Sequence, residues 1–148
     1  MPMTTLQQLL MRQEGTGPTK DGRFFPYLDG VGKWTIGWGR NLSDNGISKE
    51  EACMFLSSDI ADAIDDVRHC FSCYDTLSET RRMVLVSLAF NLGRERLSKF
   101  VRFIGAVHRG AWDEAADELL DSKAAKQDAP ARYRELASMM RTDVSVWT

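Results

Sequence analysis

The sequence predicts an α+β fold, mostly α, in two lobes: a small N-terminal β-hairpin sheet, a long connecting helix and a helical C-terminal lobe. Three observations predict it. Helical periodicity disappears from Thr16 to Trp38, where turn dipeptides alternate with short aromatic and β-branched runs. An apolar face of Ala52, Phe55, Leu56, Ile60, Ala63, Ile64 and Val67 then recurs at helical spacing over about five turns. The rest of the chain reads as further helices punctuated by Gly and Pro. The expected organisation is a single domain over residues 1–148. Its β-containing lobe spans approximately 15–60, and its helical lobe approximately 1–14 plus 61–148.

Each element has a local reason. Thr4 or Thr5 caps a first helix whose apolar residues Leu6, Leu9 and Leu10 share a face. Gly15 is suited to ending it, which makes Glu14 its last residue or nearly so. A carboxylate there faces the negative end of the helix dipole, which disfavours ionisation, the direction that a proton donor needs. Turns are expected at Gly17-Pro18, Asp21-Gly22, Asp29-Gly30 and Gly32, with strands Arg23–Leu28 and Lys33–Trp38 between them. They should form one small twisted hairpin sheet, the only sheet in the chain.

Ser48-Lys-Glu-Glu51 is a capping box that opens the long helix. Opposite its apolar face lie Asp59, Asp62, Asp65 and Asp66, read as a solvated surface. Ser78 or Thr76 caps a helix through Leu92, ended by Gly93, with apolar residues on nearly every face, the mark of a buried centre. Helices from Ser98 to Arg109, closed by Gly110, and from Trp112 to Leu120 follow. Pro130 suits the first position of a last helix running towards Arg141.

Of the 148 residues, 43% are hydrophobic and 27% charged with four Pro, the composition of an ordered globular protein. The longest apolar run, Met83 to Phe90, is too short to cross a bilayer. The N-terminus lacks a charged segment followed by an apolar one, so the chain is expected in the cytoplasm, reaching any target outside the membrane by another route. Cys53, Cys70 and Cys73, an odd count, read as free thiols; His69 beside Cys70 lacks the second ligand pair of a structural zinc site. The net charge of −2 divides into +2 over residues 1–43, −7 over 44–79 and +3 over 80–148. That distribution argues against a nucleic-acid partner, which requires a concentrated basic face.

Glu14, Asp29 and Thr35 carry the candidate chemistry. Cleavage of a glycosidic bond needs one carboxyl held protonated to donate to the bridging oxygen and another held ionised. Asp29, at a turn beside Gly30, should be partly hydrated and hydrogen-bonded by backbone amides. Thr35, six residues on, falls on the same face as Asp29 if the turn preserves strand alternation, and its hydroxyl could hold an attacking water. A carboxyl separation of roughly 6.5–9.5 Å would give inversion. Taken alone, Asp-Gly is also simply a turn.

Beyond this chemistry, Gln13-Glu-Gly15, Tyr27-Leu-Asp-Gly30, Gly32 to Gly39, Gly46-Ile-Ser48, Arg81-Arg82, Phe90-Asn-Leu-Gly93 and Trp112 to Ala116 resemble the phage-type lysozymes, or endolysins, of glycoside hydrolase family 24. The similarity runs in order from Leu9 to Trp147. It implies a lysozyme-like fold and cleavage of the β-1,4 bond between N-acetylmuramic acid and N-acetylglucosamine in bacterial peptidoglycan. It implies Glu14 as acid, Asp29 as second carboxylate and Thr35 as the group placing water. Arg132 is implied as a partner of Glu14, which would oppose the helix-end effect, and Phe90, Asn91 and Phe103 as neighbours of the glycan groove. Core packing is an equal alternative for the two Phe. A monomer without metal or cofactor is expected, held in the host bacterial cytoplasm until a separate pore-forming protein releases it to the wall, with no stable membrane insertion.

The chain departs from the family's best-known member in a longer Glu14–Asp29 segment, in Asn91 where that enzyme has a longer amide, and in its acidic overall charge. Two alternatives stand beside hydrolysis: a lytic transglycosylase, which typically relies on one Glu, and a non-catalytic peptidoglycan-binding protein on the same scaffold.

Overall fold

Thr4 opens the first helix by a reciprocal cap: its hydroxyl accepts the Gln7 N–H at 3.1 Å while its own N–H donates to Gln7 Oε1 at 2.8 Å. The resulting helix α1, Thr5–Glu14, ends where expected, with Gly15 N–H on Met11 O at 3.2 Å. This is a computed structural model describing residues 1–146; Trp147, where the resemblance ends, lies outside the described residues. By their contacts the residues group into two compact units, Met1–Met54 and the chain from Phe55 onward.

The expected single sheet is two sheets. Strands β1 (Thr19–Lys20) and β2 (Arg23–Phe24) form a two-stranded hairpin, and β3 (Tyr27–Leu28), β4 (Trp34–Ile36) and β5 (Arg40–Asn41) form an antiparallel sheet in that order. Pro26 is the reason that Arg23–Leu28 is not one strand. It has no N–H for a ladder, and the β1–β2 pairing runs out just before it, with the Phe25 N–H on Pro18 O at 3.0 Å as the last bond. A short helix α2, Leu42–Asn45, follows β5 and is capped by Asn41, whose side chain accepts the Asp44 N–H at 3.0 Å. Ser43 Oγ accepts the Trp34 N–H at 2.9 Å and Lys33 pairs with Asp44 at 2.9 Å, so α2 is laced to the central strand by polar contacts.

Helix α3, Lys49–Cys70, opens with the expected capping box, Ser48 N–H on Glu51 Oε2 and Glu51 N–H on Ser48 Oγ. Only the later part of its apolar face is buried: Ala63 and Val67 are sealed, whereas Phe55, Leu56 and Ile60 are exposed. The acidic ridge is only partly a solvated surface, because Asp65 and Asp66 hold Arg94 at 3.0 and 2.8 Å.

Helices α4 (Glu79–Ser98), α5 (Val101–His108), α6 (Trp112–Asp121) and α7 (Pro130–Thr142) complete the second unit, with a 3₁₀ turn at Tyr74–Thr76 and a π turn at Ala124–Asp128. Ser78 caps α4, and Pro130 is the first residue of α7, both as the sequence predicts. Gly93, at φ 75° and ψ 166°, breaks the helical backbone where the end of α4 is expected, but one more turn resumes to Ser98. Ser98 therefore closes α4 and does not open α5; its hydroxyl donates back to Glu95 O at 2.7 Å. Val84, Leu85, Leu88 and Ala89 make α4 the buried centre, packed with Phe71, Phe103, Leu119, Tyr133 and Met140. No helix among the described residues is long and apolar enough to cross a membrane.

Candidate active site

The β3–β4 hairpin sets the register of the candidate residues. Tyr27 lies opposite Thr35 and Leu28 opposite Trp34, and the Asp29 N–H continues the ladder to Lys33 O at 2.9 Å. Because Asp29 is two residues beyond Tyr27, it shares a face of the hairpin with Thr35. The turn is stabilised by Asp29 itself: Oδ1 accepts the Val31 N–H at 2.9 Å and the Lys33 N–H at 2.8 Å. Oδ1 takes both amides, so Oδ2 is the oxygen left to meet water. The side chain is half-buried.

Thr35 is in the central strand, paired with Tyr27 on one side and Asn41 on the other. It is 5% exposed, the buried polar residue of the described chain. Its hydroxyl donates to Lys33 O at 3.1 Å, the same carbonyl that accepts the Asp29 amide. One main-chain oxygen thus holds both residues within two hydrogen-bond lengths of each other. Each retains capacity to engage a further oxygen, Asp29 as acceptor and Thr35 through its lone pairs.

Glu14 reaches the same sheet from the end of α1. Its carboxylate lies over Gly39, in the turn between β4 and β5, so closely that a Cβ at residue 39 would be 3.2 Å from Glu14 Oε2. Gly39 also has φ +86°, so it serves twice, by its backbone and by the space it leaves. Asp29 is bonded to Lys33 just before β4, Glu14 lies over Gly39 in the turn that follows it, and Thr35 is the middle residue of the strand between them.

The neighbouring turn is fixed by Arg40, which grips Glu51 with two bonds of 2.7 and 2.6 Å. The guanidinium, with the Ser48 amide, holds the Glu51 carboxyl down from 4.5 to about 2. Glu51 was legible as a helix cap but not as the anchor of β5. Lys33 and Gly39 likewise had no sequence signal beyond their place in the Gly32–Gly39 run, because a main-chain carbonyl and an absent side chain leave no mark in residue type.

The remaining candidates are in the second unit. Phe90 and Asn91 on α4 and Arg132 on α7 are exposed there. Phe90 is 51% exposed and borders an apolar groove of about 610 Å³ lined by Leu56, Ile60, Ile64, Met83 and Val86. Phe103 is a correction: at 1% exposed, with its ring 6.0 Å from Phe71 and 6.5 Å from Phe100, it meets core rings and offers no face to a glycan. The α5 face that carries it also buries Ala106 and Val107, which draws the ring inward.

Residues 20–136 match the phage lysozyme family. The chain belongs to the phage lysozyme family. Asp29, Thr35 and the second-unit candidates fall inside the matched residues, and Glu14 precedes them. The chain is also 24% identical over 170 residues to a protein named "Probable T4-type lysozyme 2" of Dictyostelium discoideum, covering 95% of each. Family membership makes this a lysozyme, a hydrolase acting on peptidoglycan.

Proposed function

We propose that the chain is a muramidase that cleaves the β-1,4 bond between N-acetylmuramic acid and N-acetylglucosamine, with inversion. In this reading Glu14 protonates the bridging oxygen as charge develops on the sugar ring. Asp29, through Oδ2, takes a proton from water, and the Thr35 hydroxyl orients that water for attack from the opposite face of the ring. The observation that carries the reading is the sharing of Lys33 O by the Asp29 amide and the Thr35 hydroxyl, on the sheet over whose next turn the Glu14 carboxylate lies. Phe90, Asn91 and Arg132, all exposed, are the proposed glycan contacts of the second unit. The cellular role we assign is host lysis by a monomer that reaches the wall through a separate pore-forming protein.

The test is clearance of purified cell walls by Glu14→Gln. Loss of general-acid catalysis lowers the rate by about 10²–10⁴-fold while thermal unfolding stays cooperative; full clearance would remove Glu14 from the mechanism. Asp29→Asn should be similarly crippled, whereas a binding protein would keep its affinity for walls in both variants without ever having cleared them. An anhydro sugar end among the products would assign transglycosylation in place of hydrolysis.

A further inference from the structure

Two partly exposed rings meet at the turn over which the Glu14 carboxylate lies. Phe24, at the end of β2, and Trp38, in the turn between β4 and β5, have ring centroids 4.9 Å apart with planes tilted by 58°. Phe24 is 36% and Trp38 42% exposed, so each keeps an open surface. Trp38 immediately precedes Gly39, the residue over which the Glu14 carboxylate lies.

The hairpin that supplies Phe24 is held in place from both ends. Phe25 N–H donates to Pro18 O at 3.0 Å, which closes its base. Gly17 approaches the Tyr27 ring so closely that a Cβ would collide with its Cε1, and Tyr27 is the ladder partner of Thr35. The ring of Phe24 is therefore located relative to the strand that carries Thr35, not left on a free loop.

The pair stands outside the sealed apolar core. The buried apolar side chains among the described residues run from Ala63 to Met140, and neither ring belongs to them. An aromatic face carries negative quadrupole density and suits the C–H face of a pyranose ring, while the tilt between the two rings offers surfaces at an angle instead of a closed stack. A ligand bound there would meet the turn over which the carboxylate proposed to protonate a glycosidic oxygen lies. Both features select a sugar of the glycan strand over a peptide or a lipid.

We propose that Phe24 and Trp38 form a stacking platform for one N-acetylhexosamine ring of the glycan, at the turn over which Glu14 lies. It rests on the reading of Glu14 as the acid of a muramidase.

The test uses the full chain carrying Glu14→Gln, titrated by calorimetry with soluble glycan strands from peptide-stripped peptidoglycan. Phe24→Leu and Trp38→Leu are added to it one at a time. Leucine keeps apolar volume and so spares the hairpin, but it removes the flat face. Each should weaken binding by about three- to ten-fold. In the chain with Glu14 intact, the same substitutions should raise KM by a similar factor and leave kcat near the parent value, with Phe24→Tyr restoring affinity. Unchanged Kd and KM in both Leu variants would overturn the platform while leaving the muramidase reading intact. Wall clearance by Glu14→Gln together with raised KM in the Leu variants would do the reverse, and a parent chain that binds no glycan would sink both.

Discussion

Different forces hold each of the two units together internally. From Ala63 to Met140 the second unit buries a continuous apolar core of Phe, Leu, Val, Ala, Met and Tyr side chains, whereas the first unit's one sealed side chain among the described residues is the polar Thr35. What the first unit has instead are ladders of two or three residues, the cap at Thr4, the Asp29 turn, the Asn41 cap and the Arg40–Glu51 pair. A hydrogen bond of a cap or a ladder contributes about 0.5–1.5 kcal/mol net, and a solvent-exposed ion pair is screened further, against roughly 1.5–3 kcal/mol for each large apolar side chain fully buried. The lesson is a division of labour: stability resides in packing, and the candidate chemistry resides where polar groups are already oriented by other polar groups. Regions of low apolar contact density also open locally at lower free energy, which suits a site that must admit a polymer.

The largest expected effect lies in the packed unit. Phe103→Ala should destabilise the protein by about 3–5 kcal/mol in chemical denaturation, the range for truncating a buried aromatic. A loss below about 1 kcal/mol would mean that packing is not what holds the second unit. Next is Gly39→Ala, which places a Cβ 3.2 Å from Glu14 Oε2 at a backbone φ of +86°. Backbone strain of roughly 1–2 kcal/mol is expected, with a disproportionate fall in kcat, up to about 100-fold, if the carboxylate is displaced by about 1 Å. A fall in kcat no larger than the loss of folded protein would show that Gly39 serves the turn alone.

The smallest effect concerns pH. The Arg40 guanidinium and the Ser48 amide favour ionised Glu51 in the folded chain, so its carboxyl titrates at about 2 instead of 4.5. The sign follows from the depressed value: the contribution is complete above about 4.5 and is lost as pH falls from there through about 2. Amide protection factors, which are corrected for the intrinsic exchange rate at each pH, should therefore fall in residues 40–51 across that window ahead of those in the helical core, and high salt should shrink the difference. Glu51→Gln should abolish the pH dependence; persistence of the effect in that variant would assign it to another group.

Legibility in the sequence followed the same division. The helices of the second unit were readable because burial repeats at helical spacing and two of their starts carry Ser78 and Pro130. The one misplaced boundary, at Ser98, arose because a helix resumed for one turn after Gly93, and nothing in side-chain type forbids that. In the first unit, even spacing puts Asp29 and Thr35 on one face if the turn preserves alternation, and the Tyr27–Thr35 pairing continues through the Asp29 N–H on Lys33 O in that register. The split into two sheets was signalled by Pro26, whose missing N–H outweighs the β propensity of the residues around it. Phe103 and Phe90 could not be told apart in advance, since both are apolar residues on apolar helices and only their orientation against neighbours buries one and exposes the other.

Residue order alone determined the α+β class, the capped helix ending at Glu14, the turn at Asp29 and the capping box at Ser48, because each depends on contacts within a few residues of chain. Tertiary structure alone decided that Glu14 would rest on Gly39, that Arg40 would reach Glu51, and that Phe24 would meet Trp38. Those contacts join residues distant in sequence, and their partners are chosen by how backbones approach one another, which no single residue type encodes.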